Sequence, residues 1–193
     1  EEIDARFEGI EPKVVDLETG EYVEVEDIVA FETDAKDNMV DAGDNIAKVK
    51  DIPKQVKIYQ LMEDGKVKML ILPVYGKGLW GTMYGFLALD SDLNTIEGLT
   101  FYKHKETPGL GAEVDNPRWK GLWPDRKAFD ESGEVAIEVI KGSAGPPEEA
   151  PHAVDGLSGA TLTSRGVTNL LKYWLGETGY KAYFENLEDE RSA

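Results

Sequence analysis

Val56-Lys57-Ile58-Tyr59-Gln60-Leu61-Met62 and Val67-Lys68-Met69-Leu70-Ile71-Leu72-Pro73-Val74 flank the dipeptide Asp64-Gly65. Two short runs rich in β-branched and large apolar residues, joined by Asp-Gly, are the strongest short-range signal for a β-hairpin, because the tight turn needs positive φ at both central residues. A second hairpin of the same kind is expected from residues 82–89 and 95–102, which flank Asp90-Ser91-Asp92-Leu93-Asn94. Between the two hairpins lies Gly76-Lys77-Gly78-Leu79-Trp80-Gly81, three glycines in six residues. Such a cluster fits either a bulge or a place where another group approaches the backbone closely.

Working upstream, residues 13–25 read as a further hairpin, with Thr19-Gly20 between runs containing Val14, Val15, Tyr22 and Val23. Residues 25–50 have no clear period. Downstream, Glu106-Thr107-Pro108-Gly109-Leu110-Gly111 is a tight loop, residues 116–123 are weakly helical, and residues 134–140 read as a strand. A long loop rich in Gly, Pro and Ala then fills residues 142–156, and loops of that length are usually functional. The clearest helix covers residues 162–175, where Val167, Leu170, Leu171, Trp174 and Leu175 fall at helical spacing and Gly176 can end it. A short last helix is expected at residues 180–188. Hairpins forming an antiparallel sheet, with one main packed helix near the C-terminus, make the class α+β. Residues 1–51 are expected to be an acidic N-terminal segment of the same soluble unit, and residues 52–193 the main domain.

Composition narrows the chemistry. The 193 residues are 41% hydrophobic and 31% charged, enough for a packed core. No apolar run approaches the roughly 18 residues that span a bilayer, and residues 69–75 are interrupted by Pro73. The chain opens on Glu1-Glu2 without an initiator Met, as a piece of a longer protein would, which leaves room for an anchor upstream. Of the net charge of −17, the first 50 residues supply most, with 16 acidic and 5 basic side chains. Nucleic acid and anionic membrane surfaces are therefore poor partners, because they require clustered cations. Cysteine is absent, which removes disulfides, iron–sulfur ligation and thiol nucleophiles. Two histidines supply a zinc site poorly, and without a G-x-S-x-G elbow nothing recommends a Ser-His-Asp triad, so no metal site and no catalytic residue of the chain's own is expected. Redox chemistry would need a borrowed cofactor.

The stretch with the most chemical content is Asp155-Gly156-Leu157-Ser158-Gly159-Ala160-Thr161-Leu162-Thr163-Ser164. It is a small, hydroxyl-rich loop that feeds the best helix. A helix start presents unpaired N–H groups and positive dipole, and small side chains let an anion come close, so a phosphate is a natural occupant. The competing reading is an ordinary helix start capped by Thr163 or Ser164.

Asp155-Gly156-Leu157-Ser158-Gly159-Ala160-Thr161 resembles the flavinylation motif Asp-Gly-x-Ser/Thr-Gly-Ala-Thr of the FMN-binding domain family. His104-x-Glu106-Thr107-Pro108-Gly109-Leu110-Gly111 resembles the loop that accompanies it. Tyr75-Gly76-Lys77-Gly78-Leu79-Trp80 with Gly85-Phe86-Leu87-Ala88-Leu89 is similar to the C-subunit family of the sodium-translocating NADH:quinone reductases. The related G subunit of the Rnf complex is the alternative, and a non-covalent phosphate-ligand module or a purely structural domain are readings from other classes. The Gly-Leu-Trp element and Pro117-Arg118-Trp119 argue against the Rnf protein.

The resemblance implies FMN joined by a phosphodiester to Thr161, placed there from FAD by a Mg²⁺-dependent flavin transferase. It also implies a transmembrane helix preceding Glu1, a domain on the periplasmic side of the bacterial inner membrane, and electron relay to other subunits of a sodium pump. In this reading Ser158, Gly159, Ala160, Leu162 and Thr163 surround the phosphate and ribityl chain. Leu79, Trp80 and Leu110 cover the isoalloxazine ring, while Glu106, Thr107 and Gly111 meet its edge or the ribityl chain. Asp155 and Gly156 serve recognition by the transferase. The three loops are expected to converge on one face, with Trp80, Leu110 and Thr161 around one shallow pocket.

Overall fold

A computed structural model describes residues 9–193. Its strands are β1 (Ile10–Asp16), β2 (Met39–Asp41), β3 (Asp51–Pro53), β4 (Gln55–Glu63), β5 (Lys66–Lys77), β6 (Thr82–Asp90), β7 (Ile96–Lys103), β8 (Glu138–Val139) and β9 (Ala153–Val154). Its helices are α1 (Pro117–Lys120), α2 (Thr161–Leu175) and α3 (Lys181–Ser192), with a 3₁₀ turn at Gly111–Asp115. Five strands form one antiparallel sheet in the order β1-β4-β5-β6-β7. Both expected hairpins are present. Asp64 and Gly65 turn the first at φ 52° and 73°, which is why an Asx-Gly pair stands there.

Along β4 and β6 the burial alternates residue by residue, and the buried set (Val56, Ile58, Met83, Leu87, Leu89) faces the helix layer. Helix α2 lies against β5 and buries Val167, Leu170, Leu171, Trp174 and Leu175, as its spacing requires. Each such side chain contributes about 1.5–3 kcal/mol by leaving water. Trp174 also satisfies its indole N–H on the carbonyl of Tyr75, at 2.7 Å. Two glycines, Gly76 on β5 and Gly166 on α2, make this packing possible. A Cβ on Gly166 would sit 2.5 Å from the carbonyl oxygen of Lys77, and one on Gly76 would sit 2.5 Å from Cβ of Leu170. Helix and strand thus meet backbone to backbone, and the start of α2 is pinned beside the loop that follows β5.

Two expectations need correction. The limb returning after Thr19-Gly20 does not form a hairpin strand. Val15 and Tyr22 make a single bridge, while β1 spends its whole length on β4, from Ile10 opposite Leu61 to Asp16 opposite Gln55. The limb offers one anchored side chain, Tyr22, whose hydroxyl meets the Tyr183 hydroxyl and the Gln60 amide, while Glu21 and Glu24 are acidic. The strand expected at residues 134–140 shrinks to β8, which pairs in parallel with β9 inside the long loop. Among the described residues, no helix is long and apolar enough to cross a membrane.

Candidate functional site

Helix α2 begins without a side-chain cap. Its N-cap residue is Ala160 (φ −131°, ψ 53°), preceded by Gly159 in the left-handed region at φ 71°. Neither hydroxyl proposed as a cap serves as one. The Thr163 hydroxyl donates to Oε2 of Glu106 at 2.5 Å, and Oγ of Ser164 accepts the backbone N–H of Leu157 at 3.1 Å. Both residues are buried, at 1% and 5% exposure, whereas Thr161 is exposed. No side chain caps the N–H groups of the first turn. An anion is the natural partner there.

Glu106 holds the surrounding loops together. It is buried, and its Oε1 accepts the N–H of Trp80 at 3.1 Å. Its Oε2 accepts the N–H of Leu79 at 3.2 Å in addition to the Thr163 hydroxyl. Room for the carboxylate exists because two neighbours lack side chains. A Cβ on Gly78 would lie 2.5 Å from Oε1, and one on Gly111 would lie 2.8 Å from Oε2. The N–H of Glu106 donates to Nδ1 of His104, so the proton of that ring sits on Nε2, 2.6 Å from Oδ2 of Asp115. Glu106 accepts three protein donors and ties the loops together, which leaves one of its roughly four acceptor positions open to a ligand. One expected role is corrected. Thr163 commits its single hydroxyl proton to Glu106, so it has none to give a phosphate. Thr107 accepts the indole N–H of Trp80 at 3.1 Å.

Beyond this buried knot is an apolar shelf. Leu79, Trp80, Leu110 and Leu162 are 39%, 64%, 43% and 52% exposed, and the Leu110 side chain reaches to 3.0 Å from where a Cβ of Gly159 would be. Four large apolar side chains open to solvent around one helix start point to something that covers them. On the other flank of α2 lies a groove of about 760 Å³, bounded by β8, the following loop and one face of the helix. Thr161, Ser158 and Gly159 line it, but Trp80 and Leu110 do not. The three loops do converge on the start of α2. The single pocket expected around Trp80, Leu110 and Thr161 is instead divided. Gly159 contacts Leu110 on one side and the groove on the other, so the Gly159–Thr161 turn is a ridge between shelf and groove.

Asp155 and Gly156 also carry structural duties. Oδ1 of Asp155 accepts the N–H of Ala144 at 2.8 Å, and its carbonyl accepts the indole N–H of Trp119 at 2.8 Å. Gly156 donates its N–H to the carbonyl of Gly142, and a side chain there would strike the carbonyl of Ile140. The sequence reading missed the cations of the groove, Lys141, Arg165 and Lys172. The signal was available for two of them, because Thr161, Arg165, Thr168 and Lys172 recur at helical spacing on one face of α2.

An open helix start beside an apolar shelf, carried on an antiparallel sheet, suits a ligand with an anionic group and an apolar ring. The family model described as FMN-binding domain matches residues 78–176. Over 194 aligned residues the chain is 48% identical to the C subunit of the Na(+)-translocating NADH-quinone reductase of Pseudomonas aeruginosa, covering 96% of this chain and 74% of that protein. The Yersinia pestis protein of the same name is 42% identical, covering 93% and 69%. The crystal structure of Shewanella oneidensis NqrC superposes with a TM-score of 0.88 at 33% identity, over 97% of this chain and 88% of that one. The corresponding reductase protein from Parabacteroides distasonis gives 0.68 at 31% identity, over 94% and 82%. The chain belongs to the C-subunit family of the Na(+)-translocating NADH-quinone reductases, the electron-transfer family of an oxidoreductase complex, in preference to the Rnf alternative.

Proposed function

We propose that this domain carries FMN as a phosphodiester on Thr161 and passes electrons between subunits of a sodium-translocating NADH:quinone reductase. The observation that carries this reading is the sorting of hydroxyls at the start of α2. Thr161 is exposed at an uncapped helix end, while Thr163 and Ser164 are buried and hydrogen-bonded. A transferase can reach the first and not the other two. FMN bound there supplies one-electron transfer chemistry. Thr161 contributes the ester oxygen, and the helix end stabilises the remaining phosphate charge by about 0.3–1 kcal/mol. Ser158, exposed beside it, has a hydroxyl to donate to phosphate or ribityl oxygens. Gly159 and Ala160 keep the approach clear. Leu79, Trp80, Leu110 and Leu162 give the ring its apolar cover, and Glu106, Thr107 and Gly111 hold that cover in place.

The wider setting belongs to the same proposal. In this reading a membrane helix precedes the domain, which lies on the periplasmic side of the inner membrane. The exposed shelf suits a cofactor edge that other subunits cover. Asp155 and Gly156 would present the loop to the flavin transferase, and residues 1–51 act as part of the same unit, since β1 is a strand of the main sheet. Intact mass on protein from its native source tests the attachment, with fluorescence that stays with the denatured chain as a second readout. Thr161→Ala should abolish both and leave the circular dichroism spectrum unchanged. Covalent flavin persisting in that variant would move the attachment elsewhere. Wild type without covalent flavin would favour a non-covalent phosphate-ligand module.

A further inference from the structure

The groove on the open flank of α2 offers an anion little as a whole. It carries the cations of Lys141, Arg165 and Lys172, but Glu138 and Asp155 line it as well. What counts is where each charge stands relative to Thr161. Lys172 lies eleven residues along the helix from Thr161, about 16 Å away along the axis, out of reach of a group attached there. Arg165 lies four residues on, one turn along, and both it and Thr161 line the groove. Residues four apart on a helix have Cβ atoms about 5–6 Å apart. Long side chains lean toward the N-terminus, over the residues three and four positions before them. The helix itself therefore carries the Arg165 guanidinium toward the Thr161 oxygen. That guanidinium is also unspent. Arg126 is buried and donates to the carbonyls of Leu122, Ala150 and Gly145. Arg165 is exposed and takes part in no ion pair among the described residues, with neither Glu138 nor Asp155 an exception.

We infer that Arg165 is the counter-ion of the phosphodiester on Thr161 and fixes the flank on which the tether lies. The inference rests on the phosphodiester reading above. A diester keeps one negative charge and two unesterified oxygens, which match the planar fork of a guanidinium. The helix end carries only about half an elementary positive charge, so it leaves part of the diester charge unmatched, and Arg165 supplies the rest. Glu138 and Asp155 make that cation necessary, since without it the phosphate would face two carboxylates in the groove. Held by Arg165, the phosphate stays on the groove flank of the Gly159–Thr161 ridge. The ribityl chain then crosses to the shelf at Gly159, which has no side chain to obstruct it. No bond is made or broken by Arg165; it anchors the cofactor.

The test is nuclear magnetic resonance on the chain before and after flavin loading, with Lys172→Ala as the control for charge in the groove at large. Loading should slow hydrogen exchange at the side-chain Nε–H of Arg165 about tenfold or more, as a charge-assisted hydrogen bond implies. The phosphorus resonance of the diester should move in Arg165→Ala and stay in place in Lys172→Ala. In Arg165→Lys, which keeps the charge without the fork, it should move less. The flavin-free Arg165→Ala chain should unfold thermally as wild type does, because the residue is exposed. A phosphorus resonance in Arg165→Ala identical to that of wild type would overturn the inference, and so would an equal shift in Lys172→Ala. Should Arg165→Ala load too little to be seen, the exchange at Arg165 in loaded wild type decides, and a rate unchanged by loading overturns the inference. A wild-type chain without a diester resonance takes down the Thr161 reading and this inference with it. A diester indifferent to Arg165 sinks the inference alone.

Discussion

The two flanks of helix α2 do opposite things with the same kinds of residue. On the flank facing β5 and Glu106, polar atoms are buried and paired, glycines let backbones touch, and aromatic rings fill the rest. On the flank facing β8, charges stand in a groove outside any ion pair among the described residues, and hydroxyls are open. Each flank has one carboxylate that ties down a loop: Glu106 with three donors on the dry side, Asp155 on the open side. The contrast teaches that a single motif can be partly scaffold and partly surface. Its residues are separated by which way the helix turns them. Thr161 and Thr163 differ by two positions, and hence by about 200° around the axis.

The largest effect that can break this contrast is expected at alkaline pH, and it should strike only the dry side. Tyr180 packs against Trp174 and gives its hydroxyl to the carbonyl of Pro73, while Tyr183 shares hydrogen bonds with Tyr22 and Gln60. Burial pushes both phenols well above the usual tyrosine range, and the Tyr22 contact adds to the shift at Tyr183. A raised folded-state value means the stability is intact below the unfolded value near 10 and is lost as pH rises past it. Two phenols held neutral imply a loss of about 3 kcal/mol per pH unit above about 10. Denaturant melts at pH 9, 10 and 11 check this. A stability that stays flat through pH 11 would mean that these rings ionise freely and that the dry flank is less closed than described.

Next in size is Glu106→Ala. It strands the Thr163 hydroxyl and the N–H groups of Leu79 and Trp80 in a site with little access to water, so a loss of about 3 kcal/mol is expected in urea unfolding. Because Trp80 stands on the loop that is released, its fluorescence should shift as well. A loss below about 1 kcal/mol would show that water replaces the carboxylate and that Glu106 is not the tie between the loops.

How far the sequence could be read follows the same division. The hairpins were legible because Asp64-Gly65 and the strand alternation are local signals, and α2 because Val167, Leu170, Leu171 and Trp174 mark one face. The return limb after Gly20 was misread because turn chemistry says where a chain reverses, not which strand β1 then prefers. The role of Glu106 was hidden for a different reason. Its three donors come from residues 79, 80 and 163, and no local pattern reveals a buried carboxylate that joins segments so far apart. The motif register gave Thr161 from the family resemblance, and the exposure of that residue supplies a separate physical reason. The groove went unread because Lys141 joins Arg165 and Lys172 only through the path of the long loop.

The smallest expected effect sharpens the comparison most. Asp155 is only half buried, and its side chain makes one short hydrogen bond to the N–H of Ala144, with the Ser143 hydroxyl at 3.5 Å. Removing it in Asp155→Ala leaves one backbone donor that solvent can reach, so the stability loss should be about 1 kcal/mol, roughly a third of that for Glu106. The loop from Gly142 to Gly145 would loosen, and Gly142 and Ser143 of that loop wall the groove. Flavin loading should therefore fall much more than stability does, whether the transferase reads Asp155 itself or the wall it holds. The two causes separate with Asp155→Asn, which keeps an acceptor for Ala144 and removes the charge. If Asp155→Asn restores both stability and loading, Asp155 acts by holding the wall. If it restores stability alone, the carboxylate charge is what the transferase meets. Loading equal to wild type in Asp155→Ala would remove Asp155 from the loading reaction altogether, and the open flank would then be independent of the loop that borders it.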